Sequence, residues 1–352
     1  MAKKPKICLI YTGGTIGMTK KTNGTVAPPE HPDDFFKIAP EMKEIVDFDF
    51  VLLLNKDSTN MNPDDWVEMA KSVYNRRNAG YAGFVIAHGT DTMHFSSSAL
   101  SFALGPNLNF PVVFTGAQTI PAVKHGDSRV NLLRACKLAT MDLAEVVICF
   151  GDYIFRGCRA QKKDEKKFDA FESPAYFPIG YITEEIELSP LAEKKRRVYD
   201  IVFIPNFEKG ILLVNLIPGL EPELFRPIIE NDQCNGVILQ SFGAGNVPHE
   251  DNLSFIPLIE EAKKLNKPVI ITSQFPGHST LGTEYEAGKV AHEAGAIPTG
   301  NMTSSAAVVK FRWVLAQVFK EIQDGYLETE QKIKKVKELM NTPYVGEMDH
   351  MN

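Results

Sequence analysis

Leu9-Ile10-Tyr11-Thr12-Gly13-Gly14-Thr15-Ile16-Gly17-Met18 is the stretch on which the reading of this chain turns. The apolar run Ile7–Tyr11 that leads into it has the length and composition of a short buried strand. It stops at Thr12-Gly13-Gly14, where two adjacent glycines permit backbone conformations that residues with side chains resist. Thr15 is therefore expected on a tight turn just past the carboxyl end of the first strand, where open α/β sheets bind ligands. Taken alone, the stretch also fits a strand-to-helix turn without chemistry, so the rest of the chain decides.

The first half repeats this pattern of an apolar run followed at once by a small polar cluster. Phe50–Leu54 leads into Asn55-Lys56-Asp57-Ser58-Thr59-Asn60. A helix is expected from Pro63, with Trp66, Met69, Ala70 and Val73 at helical spacing and Asn62 as its N-cap. Phe84–Ala87 runs into His88-Gly89-Thr90-Asp91-Thr92-Met93, and Pro111–Phe114 into Thr115-Gly116-Ala117-Gln118. Val146–Phe150 runs into Gly151-Asp152 and a basic, glycine-containing stretch that ends near Lys163. Strands alternating with helices imply a parallel sheet with right-handed crossovers, which puts every polar cluster on the carboxyl edge. Residues 19–32 show no periodicity, and their composition fits either a mobile lid or an ordinary connection.

A second α/β unit follows, with strand-like runs at Ile211–Ile217, Gly236–Gln240 and Pro268–Thr272. Its helices are expected around Leu258–Leu265, Glu286–Ala294 and Ser304–Ile322, with a further amphipathic helix near the C-terminus. Ser241-Phe242-Gly243-Ala244-Gly245-Asn246 is another glycine-rich strand-end turn. The fold class expected is two α/β domains with parallel-type sheets, the larger N-terminal one carrying the candidate loops. We place them at residues 1–190 and 209–352, joined by a charged linker at 191–208.

Bulk properties narrow the function. The 352 residues carry a formal net charge of -6, which argues against a nucleic-acid binder held by a general basic surface. The four-residue run Lys194-Lys195-Arg196-Arg197 reads as solvated linker. Five scattered cysteines, none in a C-x-x-C pair, indicate a reducing compartment. The apolar run behind the basic N-terminus is too short for a signal-peptide core or a membrane span, so a cytoplasmic protein without membrane association is expected.

Common cofactor and metal signatures are missing. Gly13, Gly14 and Gly17 match neither G-x-G-x-x-G nor the P-loop, and no G-x-S-x-G, H-E-x-x-H or zinc-type Cys/His spacing occurs. The isolated pair His88 and His94 reads as structural, so no metal and no cofactor are expected. What remains in the strand-end loops is Thr15, Ser58, Thr59, Thr90, Asp91, the Gly116-Ala117 backbone and the lysines near 162. A threonine hydroxyl needs a neighbour to take its proton before it can attack a carbonyl. A lysine held neutral by burial and oriented by an aspartate can do that, and backbone N–H groups at glycine turns can hold an oxyanion. The set therefore points to nucleophilic acyl transfer on a substrate bearing both a carboxylate and an ammonium.

The motifs TGGTIG (residues 12–17), HGTDTM (residues 88–93) and TGAQ (residues 115–118) resemble the bacterial-type L-asparaginase family in order and spacing. Asp57-Ser58-Thr59-Asn60-Met61, Phe155-Arg156-Gly157 and Phe168-Asp169-Ala170-Phe171 bring the resemblance closest to the cytoplasmic, type I branch. It extends over nearly the whole chain, the Ser241–Asn246 turn included. By this resemblance Thr15 is the nucleophile on the asparagine amide carbon, and Thr90, Lys162 and Asp91 form a Thr-Lys-Asp triad. Asp57, Ser58, Thr59 and Gly89 are the matching substrate-binding positions, with Ser58 on the α-carboxylate and Asp91 also on the α-ammonium. The backbone around Thr90 and Ala117 is the implied oxyanion hole. Members resembling this chain are homo-oligomers, either dimers or tetramers of intimate dimers, in which a neighbouring subunit helps close the site. Asn246 and Glu284 are the matching residues here.

The resemblance implies hydrolysis of L-asparagine to aspartate and ammonia, by a β-aspartyl ester on Thr15 or by direct attack of a Thr-activated water. Glutaminase or mixed activity, an amidotransferase subunit and a non-catalytic amino-acid sensor are the alternatives. Two departures from the family pattern stand out. The activating tyrosine many members carry in the loop after the first motif is matched by Thr25. The arginine and cysteine of the regulatory asparagine site in some type I members are matched by Gln240 and Phe275, so that regulation is expected to be lost or altered.

Overall fold

The structure, a computed structural model, describes residues 3–20, 26–196, 200–275, 277 and 286–350. The chain divides into two compact units, Met1–Pro205 and Asn206–Asn352.

In the first unit β1 (Lys6–Tyr11) is buried at every position after Lys6, as a central parallel strand covered on both faces must be. β2 (Thr19–Lys20) and β3 (Val26–Ala27) pair antiparallel, so part of the expected irregular loop is a small ladder. Next come α1 (Pro32–Ile38), α2 (Met42–Ile45) and β4 (Asp47–Leu52), which begins and ends ahead of the expected run. α3 (Pro63–Arg76) starts as expected: the Asn62 side chain accepts from the N–H groups of Asp64 and Asp65, and Asp65 answers at the Asn62 N–H. Ten of the twelve residues of α4 (Met93–Leu104), which follows β5 (Phe84–Ala87), are buried, so this helix runs through the interior. β6 (Val112–Thr115), α5 (Ser128–Leu138) and β7 (Val146–Phe150) complete the alternating run.

There the alternation ends. Gly151, at φ 57, turns the chain back into β8 (Tyr153–Arg156), which pairs antiparallel with β7. β9 (Gln161–Lys162) and β10 (Phe171–Glu172) form a separate antiparallel ladder, and β11 (Gly180–Ile182) and β12 (Ile186–Leu188) extend the main sheet beyond β8. The eight-stranded sheet has the order β12-β11-β8-β7-β6-β5-β1-β4, in which β4, β1, β5, β6 and β7 pair in parallel and β8, β11 and β12 are added by antiparallel pairing. The expected parallel-type sheet is mostly parallel, with an antiparallel extension beyond β7. Two apolar runs separated by Gly-Asp are a hairpin signal, one that the regular alternation before it obscures.

The strand order also locates the site. After β1 the chain adds β4 on one side and then crosses to place β5 on the other, so the direction of winding reverses at β1. A crevice opens beyond the carboxyl ends of strands at such a reversal. The loops after β1 and β5, which hold Thr15 and Thr90, flank it.

In the second unit β13 (Ile211–Asn215), β14 (Gly236–Ser241), β15 (Val269–Ser273) and β16 (Ile297–Pro298) form a fully parallel sheet in chain order. α6 (Arg226–Glu230), α7 (Ile256–Lys264), α8 (Glu286–Ala294), α9 (Ser304–Gln323) and α10 (Lys332–Asn341) are its helices. Its apolar core gathers Val214, Val237, Leu239, Ile259, Ile271 and Ala291. A buried ion pair, Lys310 to Glu347 at 2.6 Å with both side chains fully enclosed, pins the segment after α10 to α9. Among the described residues no helix is long and apolar enough to cross a membrane.

Candidate active site

Glycines let four loops of the first unit interlock at the reversal point. Gly13 and Gly14 adopt φ 129 and φ 84, which side chains resist. A Cβ on Gly13 would lie 1.9 Å from the Lys56 carbonyl oxygen, and one on Gly14 would lie 2.6 Å from the Gly89 nitrogen. A Cβ on Gly89 would lie 2.6 Å from Ser58 Oγ, and one on Gly116 would lie 2.5 Å from the His88 carbonyl oxygen. The loops after β1, β4, β5 and β6 are therefore packed backbone against backbone. No alanine fits at these positions without moving a neighbouring loop.

Thr15 opens a single 3-10 turn directly after the two glycines, and its hydroxyl donates to the Ala117 carbonyl across the crevice. Resemblance assigns the backbone here to an oxyanion hole, but the contact to Thr15 is made by a carbonyl, which only accepts. Tyr11 lies under the turn, fully buried, with its hydroxyl on the Gly14 carbonyl at 3.0 Å. Burial pushes its phenol up to about 12.

On the facing loop, Lys162 Nζ donates to Thr90 Oγ1 at 2.9 Å and to Asp91 Oδ1 at 2.6 Å. The lysine side chain is 12% exposed and the aspartate 54%. Lys162 reaches this point through the unexpected hairpin. β8 carries the chain away from the carboxyl edge, and the hydroxyls of Ser97 and Ser98 on α4 then hold the Gly157 carbonyl. From there the chain returns along α4 to Lys162, which pairs with Phe171 in the small ladder.

Ser58 is buried against Gly89, with its backbone carbonyl taken by the Thr92 hydroxyl at 2.7 Å. Asp57 caps this turn by accepting from the N–H and hydroxyl of Thr59, both at 2.9 Å, and these bonds hold its carboxyl below the usual range. Beneath the loop, Lys56 pairs with the buried Asp65 at 2.6 Å, so the N-terminal cap of α3 also anchors the Ser58 turn. Sequence reasoning missed this pair, although a lysine stands directly beside Asp-Ser-Thr.

Thr15, Asp57, Ser58, Thr59, Gly89, Thr90, Asp91 and Ala117 fall on these loops of the first unit, and Lys162 reaches them from β9. Asn246 lies in the second unit, where it closes the glycine-rich turn by bridging to Phe242. Glu284 and Thr25 fall outside the described residues. Gln240 donates to the Ser304 hydroxyl at 3.2 Å, and Phe275 is exposed. His88 is fully buried with Nδ1 against its neighbour's carbonyl, and burial pushes it down to about 4. His94, at the start of α4, is likewise held at about 4, first by burial and then by the nearby Lys162 charge. Neither assembles a metal centre, and no cluster of metal-binding side chains occurs among the described residues.

Residues 6–193 match the family model "Asparaginase, N-terminal", and residues 211–324 match "Glutaminase/Asparaginase C-terminal domain". The L-asparaginase of Thermococcus kodakarensis is 32% identical over 336 residues, covering 95% of this chain and 97% of that protein. A glutamyl-tRNA(Gln) amidotransferase subunit from Methanothermobacter thermautotrophicus is 31% identical over 322 residues, covering 89% of this chain and 72% of that protein. Among solved structures, the thermostable T. kodakarensis L-asparaginase superimposes with a TM-score of 0.87 at 30% identity, covering 98% of this chain and 99% of the other. L-asparaginase I from Vibrio cholerae superimposes with a TM-score of 0.82 at 28% identity and the same coverage.

Proposed function

Because this chain belongs to the asparaginase family, we propose that it hydrolyses the side-chain amide of L-asparagine, yielding L-aspartate and ammonia. One observation carries the reading: Lys162 Nζ sits between Thr90 Oγ1 and Asp91 Oδ1, in a crevice whose opposite wall presents the Thr15 hydroxyl. A sensor that only bound an amino acid would need neither a lysine poised against a threonine nor a second hydroxyl facing it.

In the proposed reaction the Thr15 oxygen attacks the amide carbon and gives up its proton. The C–N bond breaks as the nitrogen leaves with a proton as ammonia. Water then hydrolyses the resulting β-aspartyl ester, restoring the Thr15 hydroxyl. Thr90, Lys162 and Asp91 form the acid–base relay for these transfers, a role worth about 10²–10⁴ in rate. Ser58 receives the substrate α-carboxylate and Asp91 the α-ammonium, with Asp57, Thr59 and Gly89 shaping the pocket around them. The chemistry requires no cofactor or metal. We further propose a cytoplasmic homo-oligomer in which Asn246 and Glu284 of a neighbouring subunit complete the site.

Trapping the intermediate and digesting the protein tests the assignment: the adduct is expected on Thr15, and an adduct on any other residue overturns it. Thr15→Ala is expected to abolish ammonia release, and activity near wild type would refute the role. Glutamine differs by one methylene, which a pocket discriminates by only ~1–3 kcal/mol. A coupled ammonia assay on both amides measures that ratio. The relatives named as amidotransferase subunits favour a second reading, in which the ammonia passes to glutamyl-tRNA(Gln). Full amidase turnover by the chain purified alone opposes it, and turnover that appears only with a co-purifying partner protein supports it.

A further inference from the structure

The loop after β6 touches both threonines. The Ala117 carbonyl accepts from Thr15, and one residue on, Gln118 Oε1 accepts from the Thr90 hydroxyl at 3.3 Å. Gln118 Nε2 donates to the carbonyls of Asp164 and Lys167 at 3.3 Å and 3.2 Å. Carbonyls only accept, so the amide has one consistent orientation, nitrogen toward the 164–167 turn and oxygen toward Thr90. Both ends of this bridge are held. The Gln118 N–H donates to the buried Asp127 at 2.9 Å. The turn is closed by Asp164 Oδ1, which accepts from the Lys166 and Lys167 N–H groups at 2.8 Å and 2.9 Å.

The Thr90 hydroxyl has a single proton. While Lys162 Nζ donates to the Thr90 oxygen, that proton must go elsewhere, and Gln118 is the acceptor in reach. For Lys162 to receive it, the lysine must first lose a proton and the hydroxyl must swing from Gln118 to Nζ. We propose that Gln118 is a positioning residue that holds the Thr90 proton away from Lys162 in the resting site, coupling the relay to the 164–167 turn. This inference rests on the acid–base reading of Thr90 and Lys162 given above.

A protonated Lys162 has no lone pair and leaves Gln118 to take the Thr90 proton, whereas a neutral Lys162 offers a lone pair that competes with Gln118 for it. Removing the acceptor therefore favours proton loss from Lys162, and replacing it with a carboxylate opposes that loss. The other groups around the pair stay in place in either variant. They are Asp91 against Lys162, the His94 imidazole on α4, and Asp127 behind the loop.

The test is the pH profile of kcat/KM for asparagine in Gln118→Met and Gln118→Glu, with near-UV circular dichroism to show that each variant folds. In Gln118→Met the acidic limb is expected to move about 0.5–1 unit toward lower pH. Its plateau kcat is expected to fall a few-fold, with KM within about twofold of wild type. In Gln118→Glu the same limb is expected to move toward higher pH. A merely structural role would lower both plateaus and leave the limbs in place. Unmoved limbs, or limbs that move in the same direction, overturn the proposal. Thr90→Val separates the two levels: if it retains wild-type kcat, the acid–base reading itself fails. If it is inactive while the Gln118 limbs stay put, only the present inference fails.

Discussion

Lys162→Met removes the Nζ group while keeping an apolar stem of similar length in a place where the side chain is 12% exposed. The structural cost is small. The partner carboxylate of Asp91 is 54% exposed, so water replaces the lost ion pair, and such pairs contribute at most about 1 kcal/mol. For a domain of this size that is a shift of about 2–4 °C in Tm. The catalytic cost is large, because the same nitrogen holds both Thr90 Oγ1 and Asp91 Oδ1, and no other lysine contacts either group among the described residues. Losing the acid–base contribution lowers kcat by about 10²–10⁴, or about 2.7–5.5 kcal/mol of barrier. KM for asparagine is expected to stay within a few-fold, since the substrate contacts proposed for Ser58 and Asp91 do not involve the lysine. The assay is ammonia release over an asparagine series at fixed pH, paired with thermal melts of the same samples. A kcat within about tenfold of wild type would refute the reasoning. So would a kcat loss accompanied by a melting temperature far below that of wild type, since it would then trace to the fold.

Four further outcomes follow from the geometry. Gly89→Ala puts a methyl group within 2.6 Å of Ser58 Oγ, so the turn must shift; KM should rise at least tenfold, and unchanged kinetics would show that the loops are not locked together. Lys310→Met strands Glu347 as a fully buried carboxylate without its cation, and urea melts should show a loss of about 3–5 kcal/mol from the second unit. Burial lowers the folded-state pKa of His88 and His94 to about 4, so the unfolded chain binds more protons below its own value near 6.5. Their stabilising contribution is complete above pH 6.5 and is lost as the pH falls toward 4; His94→Gln should flatten that slope in melts across the interval. With Gln240 hydrogen-bonded to Ser304, asparagine saturation is expected to be hyperbolic, and a sigmoidal curve that turns hyperbolic on mutating Gln240 would contradict this.

Much of the candidate site is local and was legible without coordinates. Thr15 follows a strand and two glycines, Thr90 and Asp91 follow another strand, and Asn62 with Pro63 marks the start of α3. Each depends on covalent neighbours alone: apolar periodicity, a cap, a residue without a side chain. The path of the chain to Lys162 was not legible, because the reversal at Gly151 and the small β9–β10 ladder depend on pairings between segments far apart in sequence. Gln118 and the Lys56–Asp65 pair were missed for a related reason. A glutamine or a lysine in a polar loop has no periodicity to betray its partner, and only the packed backbone shows that the amide faces Thr90 and the cation lies over α3.

By itself the sequence determined that strand ends bearing hydroxyls, a carboxylate and glycine turns would lie along one edge of an α/β sheet, because strand direction and residue chemistry are local properties. Tertiary structure alone decided that β5 lies on the opposite side of β1 from β4. That strand order opens the crevice and brings Thr15 to face Thr90, and it results from which buried faces pack together, a property no single segment carries.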